Sequence, residues 1–274
     1  MLKRLFKNKL AILGLIIIGA IILMALCAPV LAPHSPSRID LAYRLAKPSP
    51  THPLGRDSLG RDILSRIIYG SRISVWVGFS TVTLAALLGF TFGSLAGYYG
   101  GWVDGLIMRI VDILMAFPGI LLAIALMAVL GPSLNNVILT LCLIGWVSYA
   151  RMVRGQILSL RETEFVLAAK ALGLGPVRII FGHILPNVLG PLTVQATFGM
   201  AGNIVAEAGL SFLGLGVQPP TPSWGAMLNE GRSVLLSNPH LTAFPGLAIM
   251  IMVLGFNFIG DGLRDAVDPK LKIY

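Results

Sequence analysis

The chain has 274 residues, of which 55% are hydrophobic and only 12% are charged, and its formal net charge is +9. Together with a mean hydropathy of +0.83, this composition excludes a single soluble core with a polar surface. The main solvent of the chain is therefore expected to be lipid. Contact with anionic lipid also accounts for the basic balance, so no nucleic-acid partner is expected.

Long stretches without any Asp, Glu, Lys or Arg recur along the chain and indicate membrane-crossing segments. A helix needs roughly 20 apolar residues to cross a bilayer. The stretch over residues 113–150 is too long for one crossing, and the turn-forming run Gly131-Pro132-Ser133-Leu134-Asn135-Asn136 interrupts it. We therefore predict an all-α, polytopic membrane protein with about six transmembrane helices, over residues 11–32, 75–97, 107–130, 134–151, 188–210 and 242–262.

The first span has a secretory signal peptide as its alternative interpretation, because basic residues precede an apolar run and Cys27 follows it. That run is about twice as long as the apolar part of a signal peptide, no Ala-x-Ala site follows, and Leu26 stands where a lipoprotein signal has a small residue. We therefore expect a membrane anchor. The other cysteine, Cys142, falls in the fourth span, so the two cysteines predict neither a disulfide framework nor a metal site.

Basic residues are distributed unequally over the two sides that six spans define. The positive-inside rule places the side with more Lys and Arg near the span ends in the cytoplasm. The opposite side carries Arg232 and seven cations between Arg38 and Arg72, but short N-terminal flanks weigh most. We expect both termini to be cytoplasmic, on the side that carries twelve cations: Lys3, Arg4, Lys7, Lys9, Arg151, Arg154, Arg161, Lys170, Arg178, Arg264, Lys270 and Lys272.

The segment between the first two spans, residues 33–70, is too polar to cross the membrane, and five prolines make its first part extended or irregular. From Leu59 onward the pattern becomes helical, with an apolar face of Ile63, Ile67 and Ser71 and a charged ring of Arg61, Asp62, Arg66 and Arg72. We predict an amphipathic helix that lies in the outer membrane interface before span two. Its charged residues form either a solvated collar without ligand contact or a surface for gating or docking, and the sequence does not decide between the two.

Motifs of common chemistry are missing from the sequence. It contains no G-x-x-x-x-G-K-[ST] loop for a nucleotide and no H-E-x-x-H or Cys-x-x-Cys cluster for a metal. The four histidines, His34, His52, His183 and His240, are scattered. We therefore expect no catalytic residue, no bound metal or cofactor and no ATP site in this chain.

Ionisable residues close to the spans are costly in a membrane and therefore informative. Asp104, Arg109 and Asp112 stand at the start of the third span, and the spacing of the last two predicts a structural pair on one helix face. Glu207, near the outer end of the fifth span, either lines an outer gate or hydrogen-bonds to the adjacent turn. A loop with three prolines then leads to Trp224, which suits contact with an extracellular partner or a cap over a pathway.

The charged segment between spans four and five differs from its apolar neighbours. Residues 165–172 are good helix formers with several small side chains, and Gly173 and Gly175-Pro176 end that helix. A second helix is predicted from Val177 toward Pro186. The two short helices form a hairpin whose small side chains leave room for a partner protein to dock closely. An ordinary amphipathic hairpin on the membrane surface does not explain those small residues.

Ala168-Ala169, Gly173 and Leu185-Pro186 resemble the coupling motif of ABC-importer permeases. Further strings resemble the C-type permease subunit of dipeptide, oligopeptide and nickel importers: His52-Pro53-Leu54-Gly55-Arg56-Asp57, Gly60-Arg61-Asp62, Ala116-Phe117-Pro118, Leu210-Ser211-Phe212-Leu213-Gly214-Leu215-Gly216, Ser223-Trp224-Gly225 and Gly260-Asp261-Gly262-Leu263-Arg264-Asp265. They occur in order from His52 to the end of the chain. One departure is Leu167, which replaces the acidic residue often found directly before Ala-Ala, with Glu164 about one turn earlier.

This resemblance implies a type I ABC-importer permease fold in a bacterial plasma (inner) membrane. Residues 1–72 would form an N-terminal anchor and outer loop, and residues 73–274 the permease domain, with a coupling loop at about 152–187. The implied partners are a second related permease, two cytoplasmic ATPases that bind the ATP, and an extracytoplasmic binding protein. The residues implied in coupling to the ATPases are Glu164, Ala168, Ala169, Gly173, Leu185 and Pro186, and the candidate gate residues are Glu207 and Trp224.

The resemblance leaves two questions open. Peptides are the expected substrate, but nickel and glutathione importers share much of the same scaffold. A secondary transporter driven by protons or sodium is the competing class, and it predicts internal repeats, broken helices and ionisable groups at the bilayer midplane, none of which stands out. A membrane enzyme is a third alternative, but no nucleophile and base pair is evident in the spans.

Overall fold

The computed structural model describes residues 5–6 and 8–267, and this part of the chain forms helices and no β-strand. The orientation residues Lys3, Arg4, Lys7, Lys270 and Lys272 lie outside the described residues. A π-helical turn at Ile180–Ile184 joins the helix Pro176–Ile179 to the helix Leu185–Phe212, and 3₁₀ turns occupy Leu41–Tyr43 and Arg232–Val234. The helices are α1 Lys9–Leu26, α2 Ala28–Leu31, α3 Ile63–Tyr99, α4 Gly101–Met115, α5 Gly119–Leu130, α6 Leu134–Leu160, α7 Glu164–Ala171, α8 Pro176–Ile179, α9 Leu185–Phe212, α10 Trp224–Gly231 and α11 His240–Val267.

Within the described residues, five helical segments are long and apolar enough to cross a membrane: α1, α3, α6, the continuous segment Pro176–Phe212 and α11. Counted together as one broken span, α4 and α5, which meet at an angle of 89°, give a sixth. About six spans were predicted, and this number is confirmed, whereas a straight third span over 107–130 is wrong. Pro118 explains the break, because a proline disfavours the helical conformation at the preceding residue and has no N–H to donate.

Helix α3 is longer than predicted and includes the segment assigned to a separate interfacial helix. Its 37 residues span about 55 Å, well beyond the roughly 30 Å of a hydrocarbon core. Asp62 caps its N-terminus by accepting a hydrogen bond from Ser65 N over 2.8 Å. The separate interfacial helix is therefore wrong. The solvated-collar alternative fails for Arg61, Asp62 and Arg66, which are buried, whereas Arg72 is exposed. The division of the chain at residue 72 falls inside α3 and stays a prediction.

The spans alternate in direction, so the structure has two sides. Asn8, just before α1, donates a hydrogen bond to Asp265 of α11 over 3.2 Å, which places the N-terminus of α1 beside the C-terminal end of α11. The junction of α3 and α4 and helix α7 lie on this same side, which we call the α7 side. The loops over residues 32–62 and 213–239 lie on the other, which we call the Trp224 side. An apolar core contributed by α1, α3, α9, α10 and α11 fills the bundle toward the Trp224 side.

Helices α3 and α6 make the most extensive contact in the bundle, and glycines on α3 permit it. The spacing Gly93-x-x-x-Gly97 predicts close helix approach, and the structure confirms it. A Cβ added at Gly93 would lie 2.5 Å from the carbonyl oxygen of Ala150 and 2.9 Å from Cβ of Val153. Gly101, the next glycine at this spacing, begins α4, and a Cβ added there would lie more than 4 Å from any neighbouring atom.

Replacing Gly93 with valine should therefore lower the free energy of unfolding by about 1–3 kcal/mol, the usual cost of overpacking. Gly202 on α9 is the matched control, because a Cβ there meets nothing within 4 Å. Denaturant titration of the purified chain in mixed micelles would measure both variants, with Gly202→Val expected within about 0.5 kcal/mol of the parent. Equal losses in the two variants would contradict the close α3–α6 contact.

Candidate coupling surface

Helix α7 lies at the end of α6 and turns one face into the protein. It starts at Glu164, whose carboxylate suits the positive end of the helix dipole. Val166 and Ala169 are buried in one apolar cluster with Ile157 of α6 and Ile184 of the π-helical turn. The inner face of α7 is thus held by packing against the two spans that flank it in the chain.

A glycine turn ends α7 in a defined geometry. Gly173 has φ +78°, the left-handed conformation that glycine adopts without strain. Its N–H donates to Lys170 O over 2.9 Å, and the N–H of Leu174 donates to Ala169 O over 3.1 Å. This pair of bonds is the Schellman motif, which satisfies the last carbonyl groups of a helix. Gly173 is therefore required by backbone geometry rather than by lack of space.

The outer face of α7 is exposed and largely apolar. Glu164 and Ala168 lie one turn apart and are both exposed, so the acidic residue shares a face with the small one. Leu172 has 81% of its surface exposed. Lys170 and Ala171 are also exposed, and we call five of the exposed residues the α7 face: Glu164, Phe165, Leu167, Ala168 and Leu172. Exposed apolar side chains beyond the end of a span are typical of a protein docking surface. Ala169, predicted with this set, lies on the inner face.

The helix after the glycine turn differs from its prediction. It begins at Pro176, close to the expected Val177, but it does not end at Pro186, because α8 continues through the π-helical turn into α9. Pro186 has no N–H to donate, and beside it the ladder shifts so that Leu185 N–H donates to Ile180 O. Leu185 and Pro186 therefore belong to a continuous helix that joins the α7 hairpin to the fifth span.

Polar contacts connect the α7 hairpin to the end of α3. The ammonium of Lys170 lies 5.5 Å from the centroid of the Tyr98 ring, a cation–π distance. Arg161, at the end of α6, donates from Nη1 to the carbonyl oxygen of Gly97 over 3.3 Å. Helix α7 is thus in contact, directly or through one residue, with α3, α6 and the α8–α9 segment.

The acidic residues of α4 pair with arginines of α6. Arg154 donates two hydrogen bonds to Asp104, over 2.5 and 2.6 Å, and Arg151 donates to Asp112 over 2.5 Å. The predicted pair of Arg109 with Asp112 is wrong. The physical reason is that α6 presents two guanidinium groups to α4, and Arg151 forms a charge-assisted bond with Asp112 that takes the place of the pair along one helix.

The two candidate gate residues are buried on the Trp224 side. Glu207 is 0% exposed and accepts a hydrogen bond over 2.7 Å from Ser211 Oγ, one turn further along α9. Trp224 begins α10 and donates from Nε1 to the carbonyl oxygen of Ile67 over 3.0 Å. Trp224 thereby fixes α10 to α3. A gate role for either residue stays a prediction.

A buried ionic cluster on the Trp224 side was missed by the sequence analysis. We call it the Arg66 cluster, and it contains Asp57, Arg61, Arg66 and Glu230. Arg66, which is 2% exposed, bonds to Asp57 and donates from Nη1 to Glu230 Oε2 over 2.6 Å. Arg61 donates to Asp57 over 2.7 Å and to Glu230 over 2.7 Å. The cluster joins the loop before α3, α3 itself and α10.

Comparison with known families assigns both parts of the chain. Residues 89–273 match the model of the binding-protein-dependent transport system inner membrane component. Residues 1–48 match the model of the N-terminal transmembrane domain of oligopeptide transport permease C. These two matches agree with the motifs of the C-type permease subunit described above.

Curated relatives align over nearly the whole chain. The dipeptide transport system permease protein DppC of Alkalihalophilus pseudofirmus is 54% identical over 98% of this chain and 89% of its own length. The glutathione transport system permease protein GsiD of Pectobacterium atrosepticum is 45% identical over 98% of this chain and 90% of its own. The oligopeptide transport system permease protein OppC of Bacillus subtilis is 45% identical over 97% of this chain and 87% of its own.

A solved structure confirms the fold. An inward-facing structure of the MetNI methionine ABC transporter contains a chain that matches with a TM-score of 0.61 at 20% identity, over 74% of this chain and 96% of that chain. At this identity the likeness shows the fold alone, which is the ABC-transporter permease fold predicted above. The chain therefore belongs to the family of binding-protein-dependent transport system inner membrane components, as a multi-pass inner-membrane permease of the oligopeptide permease C type.

Proposed function

We propose that this chain is a permease subunit of an ATP-driven importer of dipeptides or oligopeptides. It forms half of the translocation pathway together with a second related permease. Two cytoplasmic ATPases bind the ATP and supply the energy, and an extracytoplasmic binding protein delivers the substrate. The observation that carries this proposal is the exposed α7 face on a helix whose inner side is packed against two spans.

The α7 face is where the ATPases act on this chain. Ala168 offers a surface on which another protein can approach the helix backbone closely, and the apolar Phe165 and Leu172 add buried area on docking. Glu164 takes the place of the acidic residue that Leu167 replaces, because it lies one turn before Ala168 on the same face. Movement of the ATPases then displaces α7, and the cluster that Ala169 forms with Ile157 and Val188 passes the displacement to α6 and α9.

The pathway lies along a groove between α3 and α9. It encloses about 640 Å³ and is almost entirely apolar. This groove has walls from α3, α9, Phe181 and Leu263 of α11 and is open on its remaining side, where the second permease would complete it. The residues that form its walls include Phe79, Leu87, Leu189, Thr193, Thr197 and Met200.

The α7 side is assigned to the cytoplasm, together with both termini. Support comes from basic residues on that side of the described structure: Lys9, Arg151, Arg154, Arg161, Lys170, Arg178 and Arg264. The Trp224 side then faces the extracytoplasmic binding protein. This orientation places the α7 face where ATPases that use cytoplasmic ATP can reach it.

The main alternatives concern the substrate and the energy source. Relatives named for glutathione are 45% identical, and a nickel importer has the same expected scaffold, so either cargo competes with peptides. An ion-coupled secondary transporter predicts broken helices, and the third span is broken. However, the residues around that break, 113–121, contain no ionisable side chain that could bind a coupling ion.

Uptake by the complete assembly in proteoliposomes tests the proposal. Radiolabelled dialanine should accumulate only with the binding protein, both permeases, the ATPases and ATP, and unlabelled glutathione or Ni²⁺ should compete poorly. Accumulation by this chain alone under a proton or sodium gradient would overturn the proposal in favour of the secondary transporter. Stronger competition by glutathione or Ni²⁺ than by unlabelled dipeptide would overturn the substrate and leave the importer in place.

A further inference from the structure

Two of the scattered histidines meet on the Trp224 side beside the start of α3. His34 follows α2, His52 lies in the loop 18 positions later, and Asp62 caps α3. His52 Nδ1 lies 2.8 Å from Asp62 Oδ1, and His34 Nδ1 lies 4.0 Å from the same oxygen. One ligand atom from each of the three residues lies within 4.8 Å of the others. The fold thus gathers a group of donors that the sequence spacing does not reveal.

The carboxylate of this group is held in place. Asp62 Oδ2 accepts from Ser65 N over 2.8 Å and from Ser65 Oγ over 2.7 Å, so Oδ1 is left to face the histidines. The backbone N–H of His34 donates to Ser65 Oγ over 3.1 Å, which fixes the approach of the first histidine. The side chain of Asp62 is 1% exposed and that of His52 is 12% exposed. Asp62 and His52 are thus held in mostly buried positions, as metal ligands commonly are, whereas the His34 side chain is 34% exposed and its ring stacks on that of His52 with centroids 4.2 Å apart.

From this geometry we propose that His34, His52 and Asp62 bind a divalent transition-metal ion such as Zn²⁺. Ligand atoms around a tetrahedral zinc ion lie about 3.3 Å apart, since each bond is about 2.0–2.1 Å long. The observed separations of 2.8 and 4.0 Å bracket that value. Two imidazoles and a carboxylate suit Zn²⁺ or Ni²⁺ rather than Mg²⁺. His34 Nδ1 is buried and has no hydrogen-bond partner among the described residues, so metal binding would satisfy it.

A cavity of about 150 Å³ beside the group leaves room for water to complete the coordination. Its walls include the three ligands together with Ser35, Arg38, Asp40, Arg56 and Gly60. Arg38 and Arg56 would repel a bound cation. Asp40 partly neutralises Arg56, from which it accepts a hydrogen bond over 2.8 Å. The metal would join the segment after α2, the following loop and α3 at one point.

Arg56 competes with the metal for His52. Arg56 Nη2 lies 2.7 Å from His52 Nε2, and because guanidinium only donates, this nitrogen accepts and Nδ1 carries the ring proton. Metal binding at Nδ1 moves that proton to Nε2, and Arg56 must withdraw while keeping its pair with Asp40. Removing Arg56 should therefore strengthen metal binding, whereas a purely structural hydrogen-bond network predicts no such gain.

Zinc titration of the full chain in lipid nanodiscs tests the proposal. The chain should be purified without a histidine tag and with Cys27→Ser, so that tag and thiol do not bind the ion. We expect one Zn²⁺ per chain, and Zn²⁺ should bind at least tenfold more weakly to His34→Ala. It should bind about tenfold more tightly to Arg56→Gln, because the hydrogen bond from the charged Arg56 to His52 stabilises only the metal-free chain and is absent in this variant. The matched control is His183→Ala on the α7 side, which should bind like the parent.

X-ray absorption of the loaded chain should show nitrogen and oxygen ligands without sulfur. Thermal melts should show that each variant is folded and that Zn²⁺ raises the melting temperature of the parent but not of His34→Ala. Equal affinity in the parent and in folded His34→Ala would overturn the proposal. Weaker binding in Arg56→Gln, or no saturable binding by the folded parent, would also overturn it.

Discussion

Replacing Arg66 with methionine is expected to lower the free energy of unfolding by about 3 kcal/mol, because it removes one partner from a buried ionic cluster. Arg66 is 2% exposed and bonds to both Asp57 and Glu230. Methionine fills similar space without charge, and Arg61 alone is then left to balance two carboxylates. Denaturant titration in mixed micelles would measure the loss.

Arg72 provides the matched control for this change. It lies on the same helix but is exposed, so Arg72→Met should shift the free energy of unfolding by no more than about 0.5 kcal/mol. The double variant Arg66→Met with Glu230→Gln should recover part of the loss, since it removes one of the unbalanced carboxylates. A loss for Arg66→Met no larger than that for Arg72→Met would contradict the structural role of the cluster.

Replacing Gly173 with valine should separate ATP hydrolysis from uptake. The left-handed φ of +78° is strained for a β-branched residue, so the end of α7 must change its geometry. No atom lies within 4 Å of the added Cβ, so the bundle itself should assemble normally. We expect uptake to fall about tenfold, equivalent to about 1.4 kcal/mol of coupling free energy, while the ATPase rate stays within about twofold.

The neighbouring Gly175 gives a control for added bulk at the same turn. Its φ of −68° is ordinary, and a Cβ there also meets nothing within 4 Å. Gly175→Val should therefore keep uptake close to that of the parent assembly in the same proteoliposomes. Unchanged uptake in Gly173→Val would show that the geometry of this turn does not matter for coupling.

The number and approximate position of the spans followed from the sequence because charge-free stretches are reliable indicators of lipid contact. The bend of the third span did not follow from the sequence. Pro118 was visible, but a proline within an apolar stretch is compatible with a mild kink as well as with the 89° angle that the structure shows. The unbroken α3 was missed because its first turns carry charges that are typical of an interfacial helix.

The charged clusters of the Trp224 side show why local patterns mislead. The charges of Arg66, Arg61 and Asp62 lie close together in the sequence and predict a solvated helix face. Arg66 is buried instead because it pairs with a residue far along the chain. Glu230 stands 164 positions after Arg66, beyond any local pattern. The pairing of Asp112 was assigned to Arg109 for the same reason, since the real partner belongs to another helix. Burial of paired charges depends on tertiary contacts that one sequence does not specify.

The glycine turn that ends α7 was predicted correctly, because turn chemistry is local. Gly173 was expected to end a helix, and the Schellman motif there is the physical reason. The exposure of Ala168 and Glu164 on one face follows from helical spacing alone. The continuation of α8 into α9 was not predicted, since Pro186 is normally a stop signal and a π-helical turn accommodates it here.

Cysteine cross-linking of the α7 face tests the central claim most directly, which is that separate ATPases act on this chain at that face. Ala168→Cys would be introduced after replacing Cys27 and Cys142, and the reconstituted assembly would be treated with a photoreactive cysteine probe. The control is Leu236→Cys on the Trp224 side, where the side chain is 100% exposed. The account predicts a nucleotide-sensitive adduct with an ATPase from Ala168→Cys and none from Leu236→Cys. An active assembly in which Ala168→Cys never captures a nucleotide-hydrolysing subunit would contradict it.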